Sequence, residues 1–461
     1  MKRERQLTNG ITEGIIWKQL LYFFFPIVLG TFFQQLYNTV DAVIVGNFVG
    51  KEALAAVGGS TSTLINLLVG FFVGLSSGAT VIISQFYGAR KAKETSQAVH
   101  TAVALGLVGG VLFTVVGLLC SEWALNLMET PEEIMDQSLL YLRVYFGGII
   151  FSLLYNVGAG ILRAIGDSKR PLYFLIVCCI VNLVLDLLFV AVFHWGVFGA
   201  AFATTLSQVT SAVLVMVSLL RSTEMYGLAI KQIRFTASIL KDMIRIGFPA
   251  GMQSVMYSVS NVIIQSCINT QGTDAVAAWT AFGKIDGIFW MIMGAFGVSI
   301  TTFSGQNFGA QKYDRIKKSV RVCLLMAFAV SALISVILLF GGHYVMRLFT
   351  DDNAVIAYGM RMIRVVSPFY FTYVCIEVLA GAVRGAGDSL LPMLMTCIGV
   401  CLLRVVWVWT AVPYSNTIET VIFSYPLTWA ITSVMFIIYY LQGGWLKRCI
   451  RKAGFPIPKK K

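Results

Sequence analysis

Long apolar runs separated by short charged segments fill the chain from Ile15 to Trp445. A helix needs about 20 apolar residues to cross a hydrocarbon core. Such runs fall near residues 17–45, 53–83, 98–120, 138–162, 171–193 and 197–220. After a polar stretch they resume near 243–268, 275–303, 320–341, 358–383, 391–412 and 420–442. Continuous runs, rather than alternating ten-residue segments, exclude a membrane β-barrel. Lipid tolerates only structures that satisfy their own backbone, so each run predicts a helix. The pattern predicts an all-α polytopic membrane protein with twelve transmembrane helices in two six-helix bundles. The first run continues well past Gly30 with no small-residue cleavage site, so it reads as a retained span rather than a signal peptide.

Composition narrows the picture further. Of 461 residues, 57% are hydrophobic and 12% charged, against about 25% charged in a soluble domain. Disorder, a nucleic-acid module and a soluble multidomain enzyme are all excluded. The formal charge of +13 reads as loop bias instead of a polyanionic partner. Alternate loops and the tail hold 28 Lys and Arg, among them Lys2, Arg3, Arg5, Arg90, Lys91, Lys169, Arg234, Lys312, Arg315 and the lysines at 459–461, while the opposite loops hold Lys51 and Arg347. That asymmetry predicts a plasma-membrane protein with both termini cytoplasmic. The nine cysteines lie mostly in apolar runs without a CxxC, so they read as small buried residues.

The chain also contains itself twice. FFPIVLGTFFQQLYNTVDAVI is matched by GFPAGMQSVMYSVSNVIIQ, pairing Pro26 with Pro249, and GKEALAAVG by GTDAVAAWT, pairing Gly50 with Gly272. SQFYGARK matches GQNFGAQK, and LRAIGDSKRP matches VRGAGDSLLP, pairing Arg163 with Arg384 and Asp167 with Asp388. The offset drifts only from 223 to 221. Six spans per repeat give both halves one topology, the parallel-repeat construction of transporters. The expected division is residues 1–220, a cytoplasmic linker at 221–240, and 241–461. Gly88 and Gly309 fit helix-terminating glycines, and GDSxxP fits a cap followed by Pro in the first turn.

These paired loops, on twelve spans of this length, resemble the multidrug and toxic compound extrusion family. The resemblance implies two six-helix lobes forming a V and a secondary antiporter that exports amphipathic, often cationic compounds against Na⁺ or H⁺. It implies no cofactor beyond that coupling ion. The expected partners are small amphipathic organic cations and membrane lipid, with no nucleic acid, and the expected state is a monomer.

Ionisable residues within spans are functional candidates by default. Gln34, Asn38 and Asp41 follow one helix face, as do Asn182 and Asp186, and the sixth span offers Thr204. At 1.5 Å per residue, Asp41, Asp186 and Thr204 share a depth roughly 7–10 Å from one end of their spans. An all-oxygen set suits a hard cation such as Na⁺. It equally suits a proton, because two carboxylates close together in low dielectric cannot both stay charged. Asp41, Asn182 and Asp186 also resemble the N-lobe coupling site of the family's prokaryotic members. In the second half the candidates for substrate contact are Asn261, Gln265, Lys284, Asp286, Glu377 and Arg404, together with Gln34 and Asn38. Glu377 matches a functional acid in another branch of the family. That branch also carries an acid in span seven, where this chain has only the neighbourhood of Tyr257. Lys284, Asp286 and Arg404 also fit a mutually neutralising set, since buried charges need partners.

No HExxH, Walker loop or nucleophile triad occurs, so a membrane-embedded enzyme lacks its chemistry. A flippase for lipid-linked saccharide would need a more basic cavity than Lys284 and Arg404 provide. The orientation is directly testable in a background without native thiols. Asp136→Cys and Asn353→Cys should react with an impermeant maleimide on intact cells, and Arg234→Cys should not. Labelling at position 234 from outside would overturn the topology.

Overall fold

The computed structural model describes residues 10–456, so the basic residues at 2, 3, 5 and 459–461 lie outside the described range. Every regular element within it is a helix. The first six spans are α1 (Ile16–Phe48), α2 (Lys51–Gly88), α3 (Ala92–Leu127), α4 (Glu132–Ala164), α5 (Lys169–Val192) and α6 (Gly196–Leu220). The second six are α7 (Ala237–Asn269), α8 (Thr273–Gly309), α9 (Tyr313–Arg347), α10 (Asn353–Gly385), α11 (Leu390–Ala411) and α12 (Ile418–Leu441). A short helix α13 (Gly444–Lys452) comes next, with Trp445, Leu446, Cys449 and Ile450 buried. Eleven spans are long and apolar enough to cross a membrane. At 33 residues α7 has the length, but Gln253, Ser254, Ser258, Ser260, Asn261 and Gln265 dilute its apolar character. The helices outrun the apolar stretches that announced them. At 36 residues, α3 extends about 54 Å, against ~30 Å of hydrocarbon.

The turns repeat along with the sequence. Gly166 and Gly387 both stand at φ 98°, and Gly50 and Gly272 at 122° and 97°, where a side chain would be strained. Asp167 Oδ1 accepts the backbone N–H of Lys169 and Arg170 at 3.0 and 3.1 Å, starting α5. Gly88 and Gly309 do not supply the left-handed residue expected of them. Each helix runs slightly further, and Arg90 and Gln311 take φ 57° and 56°. The N–H groups of Lys91 and Lys312 then reach back to Phe86 and Asn307 at 3.0 and 2.8 Å, the six-to-one bond of a Schellman ending. The two glycines are buried instead.

The chain forms two compact units: Tyr22–Gly251, called here the N-unit, and Met1–Leu21 with Met252–Lys461, the C-unit. They divide inside α1 and α7, not at residues 221–240. The linker is tied into the N-unit. Its Tyr226 and Leu228 are buried, and the Ala229 and Thr236 N–H groups bond to His100 Nε2 and Thr101 Oγ at 3.0 and 3.1 Å. The first turns of α7 join it there because of glycine. A Cβ on Gly78 would meet the Met243 carbonyl at 2.1 Å, and one on Gly247 the Leu75 carbonyl at 2.1 Å. A Cβ on Gly74 would stand 2.5 Å from the Gly251 backbone, and one on Gly251 2.7 Å from the Phe71 carbonyl. Two facing Gly-x₃-Gly pairs let the helices touch backbone to backbone, the usual device for close packing in lipid.

In the C-unit the start of the described chain is held by basic side chains. Ile11 and Thr12 are buried in a one-turn helix, Gly10–Glu13. Lys312 Nζ donates to the Thr12 carbonyl and Arg315 Nε to that of Ile11, each at 3.0 Å. Arg315 also donates to Gly14 O. These two cations therefore cap orphan helix carbonyls as well as contributing to loop charge.

The α2–α7 crossing yields a stability test. Overpacking typically costs about 1–3 kcal/mol where side chains can yield, and at Gly78 the obstacle is backbone. Gly78→Leu should abolish a monodisperse folded peak in detergent. Gly147→Ala, with nothing within 4 Å of its added Cβ, should keep the wild-type melting temperature. A normally folded Gly78→Leu protein would refute the crossing.

Candidate functional site

In the N-unit α1 carries Asp41, α5 carries Asn182 and Asp186, and α6 carries Thr204. Asn182 and Asp186 are wholly buried, and Asp41 and Thr204 are 6% and 5% exposed. Asp186 lies within reach of the Asp41 charge. Tyr141 of α4 neighbours both Asp41 and Thr204, and Tyr37, one turn before Asp41, lies within reach of it and of Tyr145. Tyr141 and Tyr145 stack at 6.4 Å. The four expected coupling residues thus lie inside one unit, lined by tyrosines that their sequence positions had not singled out.

Bonding distinguishes this cluster. Asp41 Oδ1, both Asp186 oxygens, Asn182 Oδ1 and Thr204 Oγ have no hydrogen-bond partner among the described residues, and neither does Asn182 Nδ2. A buried polar group left unpaired costs about 1–3 kcal/mol, more if charged. Four orphaned carboxylate and carbonyl oxygens, against the Asn182 amide and the Thr204 hydroxyl, leave acceptors in surplus. Such a set is completed by a cation with oxygen preference or by protons on the carboxyls. The backbone also changes here: immediately after Asp186, α5 winds as a π-helix over Leu187–Val192. Such wide turns are rare and gather at functional positions.

The C-unit treats its carboxylates differently. Tyr370 donates to Asp286 Oδ1 at 2.6 Å and Trp290 Nε1 to Oδ2 at 2.5 Å. Tyr373 donates to Glu377 Oε2 at 3.0 Å, and a Cβ on Gly297 would stand 2.0 Å from Glu377 Oε1, so the missing side chain leaves room for the carboxylate. Tyr257 lies within reach of Glu377 and Tyr373. The rings pack into one wall: Tyr370 on Phe289 at 4.0 Å, and Trp290 on Tyr373 at 4.6 Å and on Trp429 at 5.7 Å. Two of these contacts match helical spacing, Asp286 with Trp290 and Tyr373 with Glu377, each four residues apart.

Arg404 is 2% exposed. Its guanidinium lies 4.0 Å from the Tyr425 ring centre, and one terminal nitrogen donates to Ser260 Oγ and Asn261 Oδ1, both at 3.3 Å. The mutual neutralisation expected of Lys284, Asp286 and Arg404 does not occur. Among the described residues none of the three forms an ion pair. Asp286 is satisfied by neutral donors, and Lys284 is exposed. Gln34 and Asn38 are also exposed, outside the buried cluster that Asp41 joins. Gln265 bonds to Asn269 at 2.8 Å on its own helix, so of the stripe on α7 only Asn261, with Ser260 beside it, reaches Arg404.

Comparison with known proteins fits this architecture. The MatE family model matches residues 26–188 and again 249–410, one match per repeat. "Probable multidrug resistance protein YoeA" of Bacillus subtilis (strain 168) is 26% identical over 98% of both chains. "Probable multidrug resistance protein YpnP" of the same organism is 29% identical over 85% of this chain and 88% of its own. A solved MOP superfamily transporter from Pyrococcus furiosus superposes with a TM-score of 0.89 at 22% identity, over 95% of this chain and 98% of its own, which shows the shared fold.

A cation that enters the N-unit cluster should stabilise the folded protein, by about 2.7 kcal/mol at one hundred times its dissociation constant. Thermal unfolding in detergent should therefore shift upward with NaCl or with acidification, relative to choline chloride at equal ionic strength. Asp41→Asn and Asp186→Asn should remove most of that shift. An unchanged shift in both variants would place cation binding elsewhere.

Proposed function

Because the chain belongs to the MatE family, we propose that it is a secondary antiporter of the plasma membrane, exporting small amphipathic organic cations in exchange for H⁺ or Na⁺. The observation that carries this reading is the surplus of unpaired buried oxygens at Asp41, Asn182, Asp186 and Thr204. A membrane helix that needed these groups only for packing would pair them. Two like charges held close together in a low-dielectric site repel, and desolvation adds to that penalty. The coupling ion removes both penalties when it enters and restores them when it leaves.

That swing can drive a change of shape. Pro26 lies within α1, where the ring removes a backbone hydrogen bond and weakens the ladder. Asp41 is on the same helix, fifteen residues further along. Neutralising the Asp41–Asp186 pair would favour one bend of α1 and a charged pair another. Two discrete conformations, biased by the ion, give exchange rather than leak. On the substrate side, the ring wall of the C-unit with Asp286 and Glu377 suits a flat cation, through aromatic faces and nearby negative charge. Polar groups that interact with neutral donors can exchange partners without leaving a bare charge behind.

Transport into everted vesicles under separately imposed ΔpH and Na⁺ gradients tests the coupling. One of the two gradients should drive uptake of a cationic dye. Asp41→Asn and Asp186→Asn should insert normally and reduce gradient-driven uptake to the uncoupled background, at least tenfold. Wild-type rates in both variants would make the N-unit cluster structural and move the coupling to Glu377.

A further inference from the structure

Arg404 is the misfit of the C-unit. A guanidinium stays charged at any physiological pH, and burying it without a carboxylate is costly. A structural arginine at this depth would take an acidic partner or a set of carbonyl oxygens. Arg404 instead has two neutral side chains on one nitrogen and a ring beneath it, and its buried Nε has no acceptor. Asn261 Oδ1 also accepts from Tyr425 at 3.4 Å, so the side chain is held by neutral groups and an aromatic face, with no counter-charge.

A second unpaired donor lies across one ring. Trp429 Nε1 is buried and has no acceptor, and its indole packs 5.6 Å from Tyr425, the ring beneath Arg404. The backbone converges on the same place: α11 winds as a π-helix over Cys397–Leu402, ending two residues before Arg404. The wide turn resets the helical phase of the residues beyond it, a means of re-aiming a side chain. In the N-unit the orphaned groups are mainly acceptors. Here they are donors, and donors are completed by an anion.

We infer that Arg404, with Trp429, receives a carboxylate carried by the exported molecule. This deepens the export reading and rests on it: the substrates selected would be zwitterions, with the amine towards Asp286 and the carboxylate towards Arg404. The wall between those ends is aromatic. Trp290 both holds Asp286 and packs on Trp429, and Trp429 packs on Tyr425. A flat ring system bearing an acid at one edge and a cationic nitrogen at the other matches that order. The guanidinium fork suits a carboxylate bidentately, which an ammonium group cannot reproduce.

A rhodamine with a free benzoate and its ethyl ester share one cationic ring system and differ only in the carboxylate. Binding of each to the full-length protein in detergent, read by fluorescence polarisation, gives an affinity ratio of zwitterion to ester. Arg404→Gln should lower that ratio at least tenfold, and Arg404→Lys should fall between it and wild type. Measurable ester binding shows that each variant is folded. Parallel loss of both dyes, or an unchanged ratio, would overturn the inference. So would chloride competing equally with both dyes, which would assign the donors to an inorganic anion. A shifted binding ratio without gradient-driven export of either dye by wild type would refute antiport while leaving the carboxylate receptor standing.

Discussion

Unpaired hydrogen-bonding groups are what a membrane helix can least tolerate, because no water is at hand to complete them. This molecule satisfies that constraint over most of its length, with serine and threonine hydroxyls bonded back to carbonyls of their own helices, as at Thr31, Ser84, Thr205 and Thr428. Unpaired buried groups also occur singly, as at Thr61, Ser319 and Arg384, but two clusters of them have a sign. Acceptors are in surplus around Asp41 and Asp186, donors around Arg404 and Trp429. The glycine crossing of α2 and α7 is close-packed, and Tyr141, which lies near Asp41, is stacked on Tyr145.

The twelve helices were legible because lipid imposes a length and polarity that few other environments do. The gathering of Asp41, Asn182, Asp186 and Thr204 in one buried cluster was legible for a related reason: they are polar side chains on three apolar runs at one depth. The tyrosines lining them were not, since Tyr37 and Tyr141 look like any other aromatics in a chain with 32 Phe and 18 Tyr. Arg404 was visible as a buried cation and a candidate for substrate contact, with pairing to Lys284 and Asp286 as the alternative. Sequence shows which charges are buried, but not that a tyrosine and a tryptophan already hold Asp286. The unit boundaries were hidden as well. Gly247 and Gly251 carry no sign of the helix they will meet, and a polar linker looks like a border even when it is fastened to His100 and Thr101.

The repeat is preserved in backbone and abandoned in chemistry. Gly166 and Gly387 share a dihedral angle, and Arg90 and Gln311 share a left-handed turn despite unlike side chains. At the repeat offset Asp41 is matched by Ile264, Asp186 by Trp407, Arg404 by Leu183 and Glu377 by Asn156. Turn geometry is a condition for closing each six-helix unit, so both copies keep it. Each functional charge needs only one site, so the second copy was free to take the opposite polarity or none.

The division of the chain inside α1 and α7 sets an order of assembly. Residues 22–251 are continuous, so the N-unit can close as soon as the first turns of α7 leave the ribosome. The C-unit is made from both ends. Its first piece, at Ile11–Gly14, precedes the arginine that binds it by about 300 residues, with 301 separating Gly14 from Arg315. At ~5–20 residues per second of synthesis, that segment waits roughly 15–60 s for Lys312 and Arg315. Until they arrive, the carbonyls of the one-turn helix have no cation to cap them. A ribosome stalled between α7 and α9 would therefore hold a finished N-unit attached to an unanchored leader.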